Sequence, residues 1–168
     1  MKHILVFAFI IMVLNACGQA QNNAANYPEH VGDISFDAAL DDPSFKVCNK
    51  EVFQYYNFGK GLQYKGEKIA IDKYFKENFE HKIQKSETGL LTIRFIVNCE
   101  GKTGLFRVEG MDTNYQPKKF NQGLESKILQ LTKQMDGWIA GEFKGQKMDY
   151  YQYLTFKLED GQLIEIMP

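Results

Sequence analysis

The stretch SETGLLTIRFIVNCEGKTGLFRVEGM, residues 86–111, decides the fold class. Apolar residues alternate from Leu91 through Ile93, Phe95 and Val97 to Cys99, the period-two pattern of a strand with one buried face. The run breaks at Glu100-Gly101-Lys102, where Gly101 can take the positive φ of a tight turn, and then resumes. Two antiparallel strands are expected there.

Working outward, residues 67–83 (EKIAIDKYFKENFEHKI) place Ile71, Phe75, Phe79 and Ile83 four apart, with charged residues between them. That period predicts an amphipathic helix. On the other side, Pro117 is expected to open a second helix, because at a first helical position it sacrifices no hydrogen bond. Phe120, Leu124, Ile128, Leu131 and Met135 form its apolar stripe, and Gly137 is expected to end it. Tyr150 to Leu158 alternate again, and Asp160-Gly161 is a strong hairpin signal that would return Gln162 to Met167 as a short last strand. Residues 47–58 mix β-branched and aromatic residues before Gly59-Lys60-Gly61 and read as a further strand. Residues 33–46 hold scattered hydrophobes and an Asp41-Asp42-Pro43 turn signal, a segment expected to drape over the domain. No internal repeat is present. The order helix, strand, strand, helix, strand implies an α+β fold: a small antiparallel sheet with two helices packed on one face, plus an N-terminal extension.

The chain begins MKHILVFAFIIMVLNAC. Eleven apolar residues, Ile4 to Leu14, rise only about 16 Å as a helix, against roughly 30 Å of hydrocarbon. A basic start, a short apolar core and a small-residue exit describe a secretory signal over residues 1–16. Leu14-Asn15-Ala16-Cys17 resembles the lipobox of bacterial lipoproteins, in which the cysteine becomes the first mature residue and carries lipid on its sulfur and amino group. The resemblance implies lipidation of Cys17; the alternative is an ordinary secretory signal with a chance cysteine. Residues 17–32, rich in Asn, Gln, Ala and Gly, read as a flexible tether, and residues 33–61 as the extension that carries the candidate strand.

Removing the signal leaves 152 residues, the size of one domain, with acidic and basic residues interspersed. Nothing resembles a nucleic-acid footprint. With Cys17 assigned to lipid, Cys48 and Cys99 are an even pair in an oxidising compartment, so a disulfide is expected. The competing reading is that Cys99 is a small core residue. Two separated cysteines with His30 and His81 lack metal-ligand spacing, so no metal or other cofactor is expected.

Several separated motifs resemble the C-terminal domain of TonB-like proteins, particularly those of Bacteroidetes-type bacteria. Leu62 to Phe75 (LQYKGEKIAIDKYF) is similar to the family's Phe-Pro-Gly-Gly-Glu-x-Ala-Leu lead into its first helix. Gly89 to Asn98 followed by Gly101 is similar to its strand and Asp-Gly turn. Met135 to Gly141, Lys144 to Lys147, and Tyr153 to Phe156 resemble its Met-Pro-x-Trp-x-Pro-Gly, Gly-x-Pro-Val and final-strand motifs. The resemblance covers about 100 residues, placing the domain at 62–168, and implies that Trp138 packs beneath the sheet. It also implies partner binding through an exposed strand edge that adds an extended peptide. The edge it points to is Tyr150 to Leu158, with Tyr150, Tyr151, Tyr153 and Thr155 as candidate partner-binding residues. Two readings of the tyrosines stay open, a recognition surface or sheet filling, and residues 162–167 could themselves cover that edge. The chain has neither the uncleaved inner-membrane helix nor the Pro-rich spacer of the energy transducer, and Ala140 replaces the proline before Gly141.

No catalytic motif emerges: there is no G-x-S-x-G, no H-E-x-x-H and no phosphate-cradling loop. Gly101-Lys102-Thr103-Gly104 contains Gly-Lys-Thr without the upstream glycine, in a hairpin turn. Glu109 and Asp112 read as solvated acids near a strand end. The expectation is therefore a non-enzymatic, lipid-anchored envelope module that binds a protein or peptide. The alternative is a structural or accessory lipoprotein using the same scaffold. Gly18-Gln19 lacks an inner-membrane-retaining Asp and no acidic cluster follows Cys17, which points to the outer membrane, facing the periplasm.

Overall fold

In the computed structural model, residues 32–79 and 87–168 are described. The expected signal segment, Cys17, the expected tether up to residue 31, His30, His81 and Ile83 lie outside them. The chain forms an α+β fold in the order β1 (Phe53–Gln54), a 3-10 turn (Tyr55–Phe58), α1 (Glu67–Asn78), β2 (Gly89–Val97), β3 (Thr103–Met111) and α2 (Gln122–Lys133). It continues with β4 (Gly141–Phe143), β5 (Gln146–Met148), β6 (Tyr150–Glu159) and β7 (Gln162–Met167).

The quoted stretch is the β2–β3 hairpin. Its turn is organised by Asn98, whose side-chain oxygen accepts the amides of Glu100 and Lys102 at 3.0 Å each. The main sheet runs β1-β6-β2-β3, with β7 also on β6. It is mixed rather than purely antiparallel, because β1 pairs parallel to β6 at Phe53↔Tyr150 and Gln54↔Tyr151. The expected strand over 47–58 shrinks to these two residues, since the preceding chain is pinned by side chains rather than by a ladder. β4 and β5 form a separate two-stranded hairpin that periodicity did not announce. Its strands are three residues long and largely exposed, and its Lys144-Gly145 turn has positive φ at both positions (50° and 79°).

One core lies on the helix side of the sheet. Leu91, Ile93, Phe95 and Val97 of β2, with Leu154, Phe156 and Leu158 of β6, meet Ile71 and Phe75 of α1 and Leu124, Ile128 and Leu131 of α2. The apolar stripes placed these helices correctly, but their ends differ from expectation. Asn121, not Pro117, starts α2: its side chain accepts the amides of Gly123 (2.9 Å) and Leu124 (3.4 Å), satisfying donors that open a helix. Pro117 instead bridges Met111 in a short return beside β3, flanked by Lys118 N–H donating to the Gly110 carbonyl at 2.9 Å. Gly137 does not stop α2, which ends at Lys133 with Gln134 as its C-cap. A Cβ at 137 would strike the Tyr64 ring, so this glycine permits close packing.

The opposite face is crossed at one end by residues 32–46, as expected for a draping segment. Ile34 and Phe45 pack on Ile96, Leu105 and Tyr151 in a second, smaller cluster. Arg94 donates to the Gly32 carbonyl, and Arg107 donates to Asp41 Oδ1 and Oδ2 at 2.8 and 2.7 Å and to the Ser35 carbonyl at 2.6 Å.

Candidate functional site

The expected binding edge on β6 is not an edge. β2 pairs along all of Tyr150–Leu158 on one side; on the other, β1 takes Tyr150 and Tyr151 and β7 takes Thr155–Glu159. In the gap between β1 and β7, the Gln152 side-chain amide donates to the Tyr153 carbonyl at 2.7 Å, standing in for a missing strand. The four candidate residues are correspondingly committed. Tyr150 is fully buried and its hydroxyl donates to the carbonyls of Ile139 (3.1 Å) and Gln63 (3.3 Å); burial pushes that phenol far upward from its ordinary pKa. Tyr151 belongs to the smaller apolar cluster. Tyr153 donates to Gln54, lies under the Arg94 guanidinium and meets the Tyr55 ring edge-on. Thr155 shares a 3.0 Å hydrogen bond with Thr92 across the sheet. These tyrosines fill the sheet.

The accessible edge is one strand further out. Among the described residues β7 pairs only with β6, leaving its other side without a strand partner. The turn that returns it, Asp160-Gly161, has φ of 47° and 78°, the two positive values of a type I′ hairpin. Leu163 pairs Leu158 and Ile166 pairs Phe156, so both turn toward the helix side; Ile164 is the extra residue of a bulge and is half exposed. Facing this strand lie Phe75 and Lys76 of α1 and Phe79, the residue that caps it, and between the two elements opens a trough of about 620 Å³. Its rim carries the Lys68–Asp72 pair at 2.8 Å. A hydrophobic floor beside a strand edge can hold an extended chain by main-chain hydrogen bonds while alternate side chains enter the trough. The sequence showed the strand and turn here; it could not show which side of β6 the strand would take.

The opposite end of the sheet offers less. β3 is bulged opposite Phe95, where Leu105 adopts φ of 53°. Its outer side is occupied by the Pro117 return at Gly110, and Arg107 donates to the Phe106 carbonyl at 2.8 Å.

Cys48 and Cys99 form a disulfide, 51 residues apart in sequence. Asp149 lies against it, fully buried. Donor atoms of these three residues lie within 4.8 Å of one another, and no other such group occurs among the described residues. The two sulfurs are bonded to each other and the carboxylate is taken by N–H donors, so no set of ligands is left for an ion.

The remaining candidates have structural partners. Glu109 pairs with Arg94 at 2.9 Å, and Asp112 accepts the amides of Asn114 and Gln116 at 2.8 and 2.9 Å. Lys102 of the Gly-Lys-Thr turn pairs with Glu100. Trp138 packs edge-to-face with Tyr64 and Phe95 at 4.9 and 5.1 Å, and its buried indole N–H lacks a conventional acceptor. No helix among the described residues is long and apolar enough to cross a membrane. No family model matches the chain, and comparison with curated proteins and with solved structures finds no significant match.

Proposed function

We propose that this chain is a lipid-anchored cell-envelope binding module of TonB C-terminal type. In this reading it takes an extended segment of an envelope protein or peptide against the outer side of β7. The trough between that strand and α1 carries the proposal. At about 3.3 Å per residue, a strand of this length presents roughly 20 Å to a partner. The disulfide supports an oxidising compartment, in keeping with a signal over residues 1–16, acylation of Cys17 and residence at the outer membrane facing the periplasm. The buried carboxylates of Asp41 and Asp149 and the β6 tyrosines are held by structural partners, which favours binding over catalysis.

Site-specific photo-crosslinking in intact cells tests the binding step. A discrete adduct from position 164, absent from the exposed control Tyr115, supports pairing at β7; equal, diffuse labelling from both positions defeats it. Mass spectrometry of the membrane-extracted protein tests the anchor through the mass of the peptide beginning at Cys17. A second reading, an accessory lipoprotein that uses the fold as a scaffold, is favoured by the bulge at Ile164, since bulges blunt strand edges against pairing. The same crosslinking experiment separates the two.

A further inference from the structure

Asp149 immediately precedes β6, and its carboxylate is sealed from solvent. A buried carboxylate needs compensating donors. Those found are N–H groups from two loops that are far apart in sequence. The amides of Cys48 and Asn49 donate to Oδ2 at 2.7 and 2.6 Å, with the Asn49 side-chain amide at 3.3 Å, while the amide of Cys99 donates to Oδ1 at 2.6 Å. One carboxylate therefore bridges the backbones of both bonded cysteines. The same residue's carbonyl accepts the Phe53 amide at 3.0 Å, and Asn98 Nδ2 donates to the Lys46 carbonyl at 3.0 Å. The segment 46–53 is thus docked at both ends by contacts that involve no sulfur.

We propose that Asp149 is a positioning residue for oxidation of the Cys48–Cys99 pair. Its carboxylate docks both cysteine backbones while the thiols are still reduced and presents them aligned to a thiol–disulfide oxidant. With glutathione disulfide as oxidant, one cysteine thiolate attacks a glutathione sulfur, forming a mixed disulfide and releasing one glutathione. The second cysteine displaces the other glutathione. Two electrons and two protons leave the pair and end on two glutathione thiols. In an unfolded chain the second step depends on random closure of a loop of 51 residues. In the docked chain it is a step between neighbours, so the effective concentration of one thiol at the other rises.

The test equilibrates the full-length folded protein with glutathione and glutathione disulfide, and counts alkylated peptides containing Cys48 and Cys99. Asp149→Asn keeps one acceptor oxygen but turns an NH2 toward amide donors. It is expected to lower the effective concentration of the pair at least tenfold. An unchanged redox equilibrium in a folded Asp149→Asn protein overturns the proposal, because a purely structural role would weaken the reduced and oxidised forms alike. A second measurement holds whether or not that variant folds. In the Cys48→Ser/Cys99→Ser double variant, the amides of residues 48, 49 and 99 are expected to stay protected from hydrogen exchange. Exchange of those amides at unprotected rates, with β2 and β6 still protected, would refute the docking.

Discussion

Asp149 and Cys99, fifty residues apart in sequence, are joined by a 2.6 Å hydrogen bond from the Cys99 amide to a fully buried carboxylate oxygen. Through that bond and the disulfide, the segment entering β1 is fastened to the β2–β3 turn, so the N-terminal extension and the sheet form one structure.

Removing the disulfide tests how much of that fastening is covalent. The chain-entropy model gives about 4 kcal/mol for a bridge closing a loop of this size. The Cys48→Ser/Cys99→Ser protein is therefore expected to unfold at lower urea, by about 2–4 kcal/mol, with its far-ultraviolet circular dichroism retained. A loss of native dichroism before urea is added would show that the bond is required for folding.

Acid should loosen the draping segment. The Arg107 guanidinium, hydrogen-bonded to Asp41, holds that carboxyl below the usual carboxylate range even though burial acts the other way. A carboxyl whose folded pKa is depressed contributes stability above its unfolded value of about 3.9, and that contribution is lost as pH falls through the folded value. Asp41→Asn is expected to cost about 1.5–3 kcal/mol at neutral pH, the range for a charged hydrogen bond. The gap between wild type and variant should narrow as urea midpoints are followed into acid; a constant gap would exclude titration of Asp41 as its origin.

Gly104 faces the ring of Phe45, and a Cβ there would overlap the ring. Gly104→Ala must therefore push Phe45 out, at a cost of about 1–3 kcal/mol for an overpacked contact. Limited proteolysis should then cut within residues 33–46 sooner than in wild type. An unchanged cleavage pattern and urea midpoint would mean that the segment shifts without loss.

On β7, neighbouring isoleucines should behave oppositely. Ile166 is buried in the core while Ile164 is half exposed. Ile166→Ala is expected to cost about 2 kcal/mol or more as a buried truncation. Ile164→Lys should stay within about 0.5 kcal/mol of wild type. Under the proposed function, Ile164→Lys should also weaken capture of an extended partner, read as loss of the adduct formed from a photo-crosslinker at neighbouring position 163.

Much of the local structure was legible in the sequence. The stripes Ile71-Phe75 and Leu124-Ile128-Leu131 located both helices, and the alternation in β2 and β6 located two long strands, because these periods follow from backbone geometry alone. Gly101 and Asp160-Gly161 marked turns whose positive φ values the chain adopts. Helix ends were less legible. Pro117 and Gly137 carry the residue types of helix termini, yet one serves a return beside β3 and the other makes room for Tyr64. The three-residue strands β4 and β5 are too short and exposed to show a period.

What the sequence determined by itself was the α+β class, the two helices, the β2–β3 and β6–β7 hairpins and the expectation that Cys48 and Cys99 pair. What only the tertiary structure decided was which side of β6 each neighbour would occupy, and so that the accessible edge belongs to β7. The physical reason is that strand pairing uses backbone N–H and C=O groups, which are the same on both sides of every strand and leave no trace in side-chain order. Asp149 carries the same lesson. Its role rests on amides about fifty and about a hundred residues distant along the chain, and no local pattern distinguishes it from a solvated acid.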